Sequence, residues 1–207
     1  MATALTYSNY CERRFFELAA GQAGGTVMKA TRGSLAGILV LEPRVFSDER
    51  GFFLEGFNQR VMREIGIDEE FVQDNHSFSR RNVLRGMHYQ VQRSQGKLVR
   101  VITGEILDVV IDLRRSSPTF GGWEAVNLSQ QNHKMIWVPA GFAHGFRVLS
   151  DGADVLYKTT DFYFPNFEKT IAWNDPDLKI DWQLKGEPIV SAKDKLGVPF
   201  KQAEVYA

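Results

Sequence analysis

Across residues 105–113, Leu107, Val109, Ile111 and Leu113 alternate with Ile106, Asp108, Val110 and Asp112. A repeat of two is the mark of a β-strand, because successive side chains leave opposite faces of the pleat. Much of the chain is cut to similar lengths. Residues 37–41, 52–57, 71–77, 83–90, 97–103, 125–128, 135–138, 145–149 and 154–160 read as further short strands. Turn-forming clusters such as Arg115-Ser-Ser-Pro118 and Pro139-Ala-Gly141 separate them. Residues 58–65 instead look helical: Asn58 is a capping residue, and Val61, Met62 and Ile65 share one face. Evenly spaced short strands predict a mainly β fold of antiparallel strands with a few short helices, as in a sandwich, jelly roll or barrel. From about Trp173 the pattern turns irregular.

A chain of 207 residues fits one such domain. Residues 1–34 differ from the rest. They are rich in Ala, Gly, Thr and Ser and lack a steady period, which predicts a flexible or loosely docked extension ahead of a single domain at 35–207. Twenty-five basic and 25 acidic residues cancel, so no global field attracts nucleic acid or a membrane. The lone Cys11 supports neither a disulfide framework nor a zinc cluster, and suits a reducing, cytoplasmic setting. No stretch approaches the roughly 18 apolar residues of a membrane span. Charged residues around Cys11 also break any apolar core of a signal peptide.

One local asymmetry stands against the balanced total. From Asn75 through Gly104 there is no Asp or Glu, while Arg80, Arg81, Arg85, Arg93, Lys97 and Arg100 are present. Guanidinium groups grip phosphate oxygens in bidentate fashion, although a solvated basic face explains such a run equally well. Of the four histidines, His76 and His133 read as packed or surface residues. His88 and His144 sit in glycine-containing strands, Arg85-Gly-Met-His88 and Gly141-Phe-Ala-His144-Gly-Phe, where a histidine needs a partner. Metal-binding cupins carry a His-x-His pair in one strand. Here the strand offers His88-Tyr89-Gln90, and Gln is a poor ligand, so no metal site is expected.

Several motifs then occur in a set order: Asp48-Glu-Arg-Gly-Phe-Phe53, Phe71-Val-Gln-Asp-Asn-His76, Leu84-Arg-Gly-Met-His-Tyr-Gln90, Gly96-Lys-Leu-Val-Arg100, Pro139-Ala-Gly-Phe-Ala-His-Gly-Phe146, Leu156-Tyr-Lys-Thr159, Trp173-Asn-Asp175 and Ser191-Ala-Lys-Asp194. From about Leu35 to Leu196 this series closely resembles the dTDP-4-dehydrorhamnose 3,5-epimerase family. Met87 stands where that family usually has Leu, a volume-conserving departure. The resemblance implies a cupin-type jelly roll, a homodimer, no cofactor, and a dTDP-4-keto-6-deoxyhexose substrate. It implies His88 as the base, Asp194 as its carboxylate partner, Tyr157 as the acid on the other face, and Lys97 beside the developing enolate oxygen. It further implies substrate contacts from Arg50, Glu55, Gln73, Asn75, Arg85, His144, Glu168 and Lys193, with Tyr163 stacking on thymine. A C3-only epimerase and a non-catalytic sugar-nucleotide-binding cupin are the competing expectations.

Each residue also has a plainer reading. Tyr157 fits a core tyrosine with its hydroxyl at the rim, Lys97 a surface lysine, and Asp194 a turn or cap residue. Asp108 and Asp112 share a strand face and suggest support, not acid–base work. Strand parity adds a difficulty, since Arg85 and His88 face opposite sides of an unbroken strand. Either Gly86 admits a bulge, or Arg85 serves the pocket of a neighbouring subunit.

Overall fold

A computed structural model describes residues 18–20 and 27–207. In chain order its strands are β1 (Leu18–Ala20), β2 (Met28–Arg32), β3 (Leu39–Pro43), β4 (Val45–Asp48), β5 (Gly51–Leu54), β6 (Gln73–Arg80), β7 (Val83–Gln90), β8 (Lys97–Thr103), β9 (Glu105–Asp112), β10 (Trp123–Ser129), β11 (Met135–Val138), β12 (Phe142–Val148), β13 (Gly152–Thr159), β14 (Glu168–Thr170) and β15 (Ile189–Val190). A single α-helix among the described residues, α1 (Gln59–Glu64), follows Asn58, whose side chain accepts from the Arg60 N–H. One sheet runs β1-β2-β3-β11-β8-β13-β6, and the other runs β10-β9-β12-β7-β14 with β15 beside β7. The β7–β15 pairing is parallel. The other ladders of these two sheets are antiparallel. The fold is the expected antiparallel jelly roll of cupin type.

Alternation explains how the two sheets close. Val99 and Val101 of β8, Ile136 and Val138 of β11, and Ala153 and Val155 of β13 point inward from one sheet. Ile106 and Val110 of β9 with Phe142, Phe146 and Val148 of β12 meet them from the other. The second face of β9, with Leu107, Val109 and Ile111, is also buried, because the irregular C-terminal region lays Leu178 and Trp182 over it. A strand covered on both faces reads as nearly continuous apolar sequence, which is what 105–113 shows. The indoles of this cover are anchored: Trp182 Nε1 donates to the Trp173 carbonyl at 2.7 Å, and Trp123 Nε1 to that of Leu178 at 2.9 Å.

Two sequence expectations need correction. The sheet begins ahead of Leu35: β2 pairs with β3, and its inward residues Met28 and Ala30 pack with Leu41 against Val61, Met62 and Ile65 of the α1 region. The remainder of the expected extension, residues 1–17 and 21–26 with Cys11, lies outside the described residues. The strand expected at 52–57 is shorter and belongs to a separate hairpin, β4–β5, with Phe46, Phe52 and Phe53 exposed. Among the described residues, no helix is long and apolar enough to cross a membrane.

Candidate active site

The inward faces that build the apolar core turn polar toward one end of the roll. Lys97 continues the parity of Val99 and Val101, Tyr157 that of Val155, and His144 that of Phe142 and Phe146. In β6 the usual pattern is reversed: Gln73, Asn75, Ser77 and Ser79 are the covered positions, while Phe78 is exposed. Burying so many polar groups opposes folding unless they find partners or a ligand. Ser77 lines a pocket with Arg85, His88, Lys97, His144, Tyr157, Tyr163 and Glu168 on its walls. Lys97 and Tyr157 come from one sheet; Arg85, His88, His144 and Glu168 come from the other.

A bulge in β7 settles the parity problem. His144 pairs with His88 and Phe146 with Arg85, so two steps on β12 face three on β7. The extra residue brings Arg85 and His88 to the same side, where both line the pocket. Gly86 makes this possible. Its φ is +117°, and a Cβ there would sit 2.6 Å from Gly145 Cα. The Arg85 guanidinium is braced by the Ser79 hydroxyl at 2.9 Å.

His88 Nε2 lies 2.5 Å from Asp194 Oδ1. The pair joins residues 106 positions apart, because β15 runs along β7 and carries the chain into the short 3₁₀ turn Asp194–Leu196. Asp194 does not cap that turn through its side chain; its own N–H is held by Ser191 Oγ at 3.0 Å. Burial opposes the Asp194 charge, but the hydrogen bond and charge of His88, with help from the Gly86 N–H and Ser191, outweigh it and hold the carboxyl below its usual range. An ionised carboxylate only accepts, so Nε2 carries a proton, and in the neutral imidazole Nδ1 holds the lone pair.

A second such pair lies deeper. His144 Nε2 is 2.8 Å from Asp108 Oδ2, and both residues are buried. Among the described residues Asp108 Oδ1 finds no hydrogen-bond partner. Burial pushes the Lys97 ammonium down to about 8, with Asp108 first and Glu168 second in opposing that fall. Its hydrogen bond to the His88 carbonyl is long, at 3.4 Å. Burial also raises the Tyr157 phenol, partly offset by Arg85, so this hydroxyl remains a donor at neutral pH. At the mouth, Tyr163 Oη donates to Glu168 Oε2 at 2.5 Å, which with burial pushes the phenol up to about 12. Lys193 forms an ion pair with the same carboxylate. Burial works against the Glu168 charge, yet Lys193, Tyr163 and His88 together keep it lowered.

Most of the residues predicted for the site thus converge. Gln73 and Asn75 join through a 2.8 Å amide contact beside Tyr157, which Asn75 faces in the ladder. Arg50 and Glu55 do not join them. Arg50 is exposed at the tip of the β4–β5 hairpin, bound to Asp48 at 2.5 Å, and Glu55 meets Asn58 at 3.2 Å. Neither lines the pocket, because the hairpin stands apart from both large sheets. His76 forms an exposed pair with Asp154 at 2.9 Å, as expected of a surface histidine. Sequence reasoning missed Asp108 as the partner of His144. The available signal was a carboxylate on the inward face of an otherwise apolar strand.

Known proteins share the sequence and the fold in which these residues stand. The sequence family dTDP-4-dehydrorhamnose 3,5-epimerase matches residues 32–202. The chain belongs to this epimerase family. An enzyme of that name from Pseudomonas aeruginosa is 56% identical over 180 residues, spanning 86% of this chain and 99% of that one. The crystal structure of dTDP-6-deoxy-D-glucose-3,5-epimerase from Legionella pneumophila, in complex with dTDP-4-keto-L-rhamnose, superposes with a TM-score of 0.83. It is 46% identical and covers 86% of this chain and 95% of its own. A 3'-monoepimerase from Streptomyces bikiniensis, in complex with dTDP-quinovose, is 35% identical with a TM-score of 0.79, covering 83% and 87% of the two chains. Both kinds of epimerase therefore share this fold.

Proposed function

We propose that this chain epimerises C3 and C5 of dTDP-4-dehydro-6-deoxy-D-glucose to give dTDP-4-dehydro-L-rhamnose. The observation that carries the reading is the His88–Asp194 pair on one wall of a pocket whose other wall holds Lys97 and Tyr157. A C4 ketone acidifies the hydrogens on C3 and C5. His88 Nδ1 takes one of these protons, and the C–H electron pair moves onto the C4 oxygen as an enolate. Asp194 fixes the imidazole tautomer and stabilises the imidazolium, as carboxylates do in other histidine pairs. Lys97 offers a charge to the enolate oxygen. If it acts like one oxyanion-hole donor, it lowers the barrier by about 2.7–4 kcal/mol. Tyr157 returns a proton to carbon from the opposite face as the ketone re-forms. Solvent then reprotonates the phenolate and relieves His88 of its proton.

Arg85 and Lys193 serve the diphosphate, Tyr163 stacks on the base, and Asn75, Gln73, His144 and Glu168 contact the substrate. Arg50 and Glu55 serve the pocket of a second copy in a homodimer. The exposed phenylalanines of their hairpin support that pairing, since an apolar surface of this kind favours burial against a partner. Mixing two inactive variants tests it: Arg50→Ala and His88→Ala chains together regain activity if Arg50 crosses to the partner, and stay inactive if it does not. A reducing cytoplasm suits the lone Cys11.

The reaction itself is tested by proton NMR of dTDP-4-keto-6-deoxyglucose with the protein in deuterated water. Deuterium at both C3 and C5, with the product accepted by a 4-ketoreductase as the L-rhamno isomer, is the expected result. Deuterium at C3 alone assigns a C3-only epimerase. Ligand binding without exchange assigns a silent binding protein.

A further inference from the structure

Three glutamines from different parts of the chain converge on the segment that carries Tyr163. Gln73 lies in β6, Gln90 ends β7, and Gln95 precedes β8. Gln95 Nε2 donates to the Asp161 carbonyl at 2.9 Å, and Gln90 Nε2 to that of Phe162 at 3.2 Å. Gln73 Oε1 accepts from the Tyr163 N–H at 3.0 Å, and Gln90 Oε1 from the Phe164 N–H at 2.7 Å. One backbone group of each of four consecutive residues is held by a side-chain amide. The segment has no strand of its own to hold it, because β13 has ended and the next 3₁₀ turn starts at Pro165. Gln90 is buried, at 3% exposure, and its Nε2 also reaches the Arg93 carbonyl at 2.6 Å. Arg93 closes the arrangement with two bonds to Asp161 at 2.7 and 2.8 Å.

The choice of residue has a chemical reason. A backbone segment presents both C=O and N–H groups, and a primary amide is the side chain that donates and accepts without charge. A carboxylate at position 90 leaves two carbonyls without donors, and an unpaired buried polar group destabilises. Gln73 has its oxygen on Tyr163 and its nitrogen on Asn75, so both ends are engaged in positioning neighbours.

We propose that Gln90, aided by Gln95 and Gln73, is a positioning residue that fixes the Tyr163 ring at the pocket mouth for the nucleotide base. This deepens the epimerase reading and rests on it for the ligand. The test uses the full chain with Gln90→Leu and, in case that variant folds poorly, Gln95→Ala, which removes only the Asp161 contact. Two readouts are taken. In the free protein, amide exchange at Tyr163 and Phe164 is expected to quicken by about tenfold or more in Gln90→Leu, since local protection is lost where a held amide is released. In turnover, KM for dTDP-4-keto-6-deoxyglucose is expected to rise about tenfold while kcat stays within about twofold, the pattern of lost uniform binding. Gln95→Ala shifts both in the same direction by a smaller factor. A Gln90→Leu, Tyr163→Ala double variant is expected to be no worse than Tyr163→Ala alone, because residues acting through one another are not additive. Unchanged amide exchange, additive effects, or a fall in kcat at constant KM each overturns the proposal. If the wild-type chain neither binds dTDP nor turns over, the epimerase reading fails, and amide exchange alone then decides whether the clamp holds.

Discussion

Replacing Asp194 by Asn tests how the base is set. The substitution keeps size and removes one charge at a buried site 2.5 Å from His88 Nε2. Two losses follow. A hydrogen bond to a charged group contributes about 1.5–3 kcal/mol, and here it matters most when His88 becomes imidazolium. An asparagine can also turn its NH₂ toward Nε2, which moves the ring proton to Nδ1 and removes the lone pair the reaction needs. Together these raise the barrier by about 3–5 kcal/mol, or a loss of roughly 10²–10⁴ in rate at about 1.4 kcal/mol per decade. The assay is initial-rate deuterium incorporation at C3 and C5, with circular dichroism to confirm the fold. KM is expected to change little, since Asp194 sits behind His88 and not on the pocket wall. A rate within tenfold of wild type, in a folded variant, refutes the assignment of Asp194 as the partner that sets the tautomer.

Lys97 stands at about 8 because burial outweighs the favourable charges of Asp108 and Glu168. Its ammonium is lost as pH rises through that value, so kcat/KM, which follows the free enzyme, is expected to fall on the alkaline side of about pH 8. Asp108→Asn is expected to move this limb to lower pH, and an unmoved limb in a folded variant removes Asp108 from the account. Gly86→Ala places a Cβ against Gly145 at a positive φ; the bulge must shift, and activity is expected to drop by at least tenfold along with thermal stability. Normal activity there contradicts the role given to the bulge. Asp112 is buried, and despite that burial its bonds from Arg114, Ser117 and Thr119 hold the carboxyl at about 2, against 3.8 unperturbed. Its stabilising effect is complete above pH 4 and is lost as pH falls toward 2, so acid titration of unfolding is expected to show a loss of about 2 kcal/mol that Asp112→Asn lacks.

The strands were legible because alternation is a local property. Residues 83–90, 97–103 and 135–138 are bounded correctly from sequence, and α1 is marked by its Asn58 cap. The short β2 is not marked in the sequence, because Met28 and Ala30 gain much of their burial from α1 and from Leu98, Met135 and Trp137, far along the chain. The bulge could be posed from Gly86 but not decided, since it depends on Gly145 lying opposite in β12. Direct contact between His88 and Asp194 was an expectation carried by family resemblance alone; no local pattern brings together residues so far apart. Arg50 and Glu55 show the opposite limit. Their motif was visible, but a single chain's hairpin leaves them outside its own pocket.

The central claim is that His88 removes the proton from one wall and Tyr157 returns it from the other. Proton NMR in deuterated water separates the two acts when wild type, His88→Ala and Tyr157→Phe are followed side by side. The account expects no exchange at C3 or C5 in His88→Ala. In Tyr157→Phe it expects hydrogen removal and deuterium entry to continue while inverted product falls by far more. Normal exchange in His88→Ala, or exchange and inversion falling by the same factor in Tyr157→Phe, contradicts it.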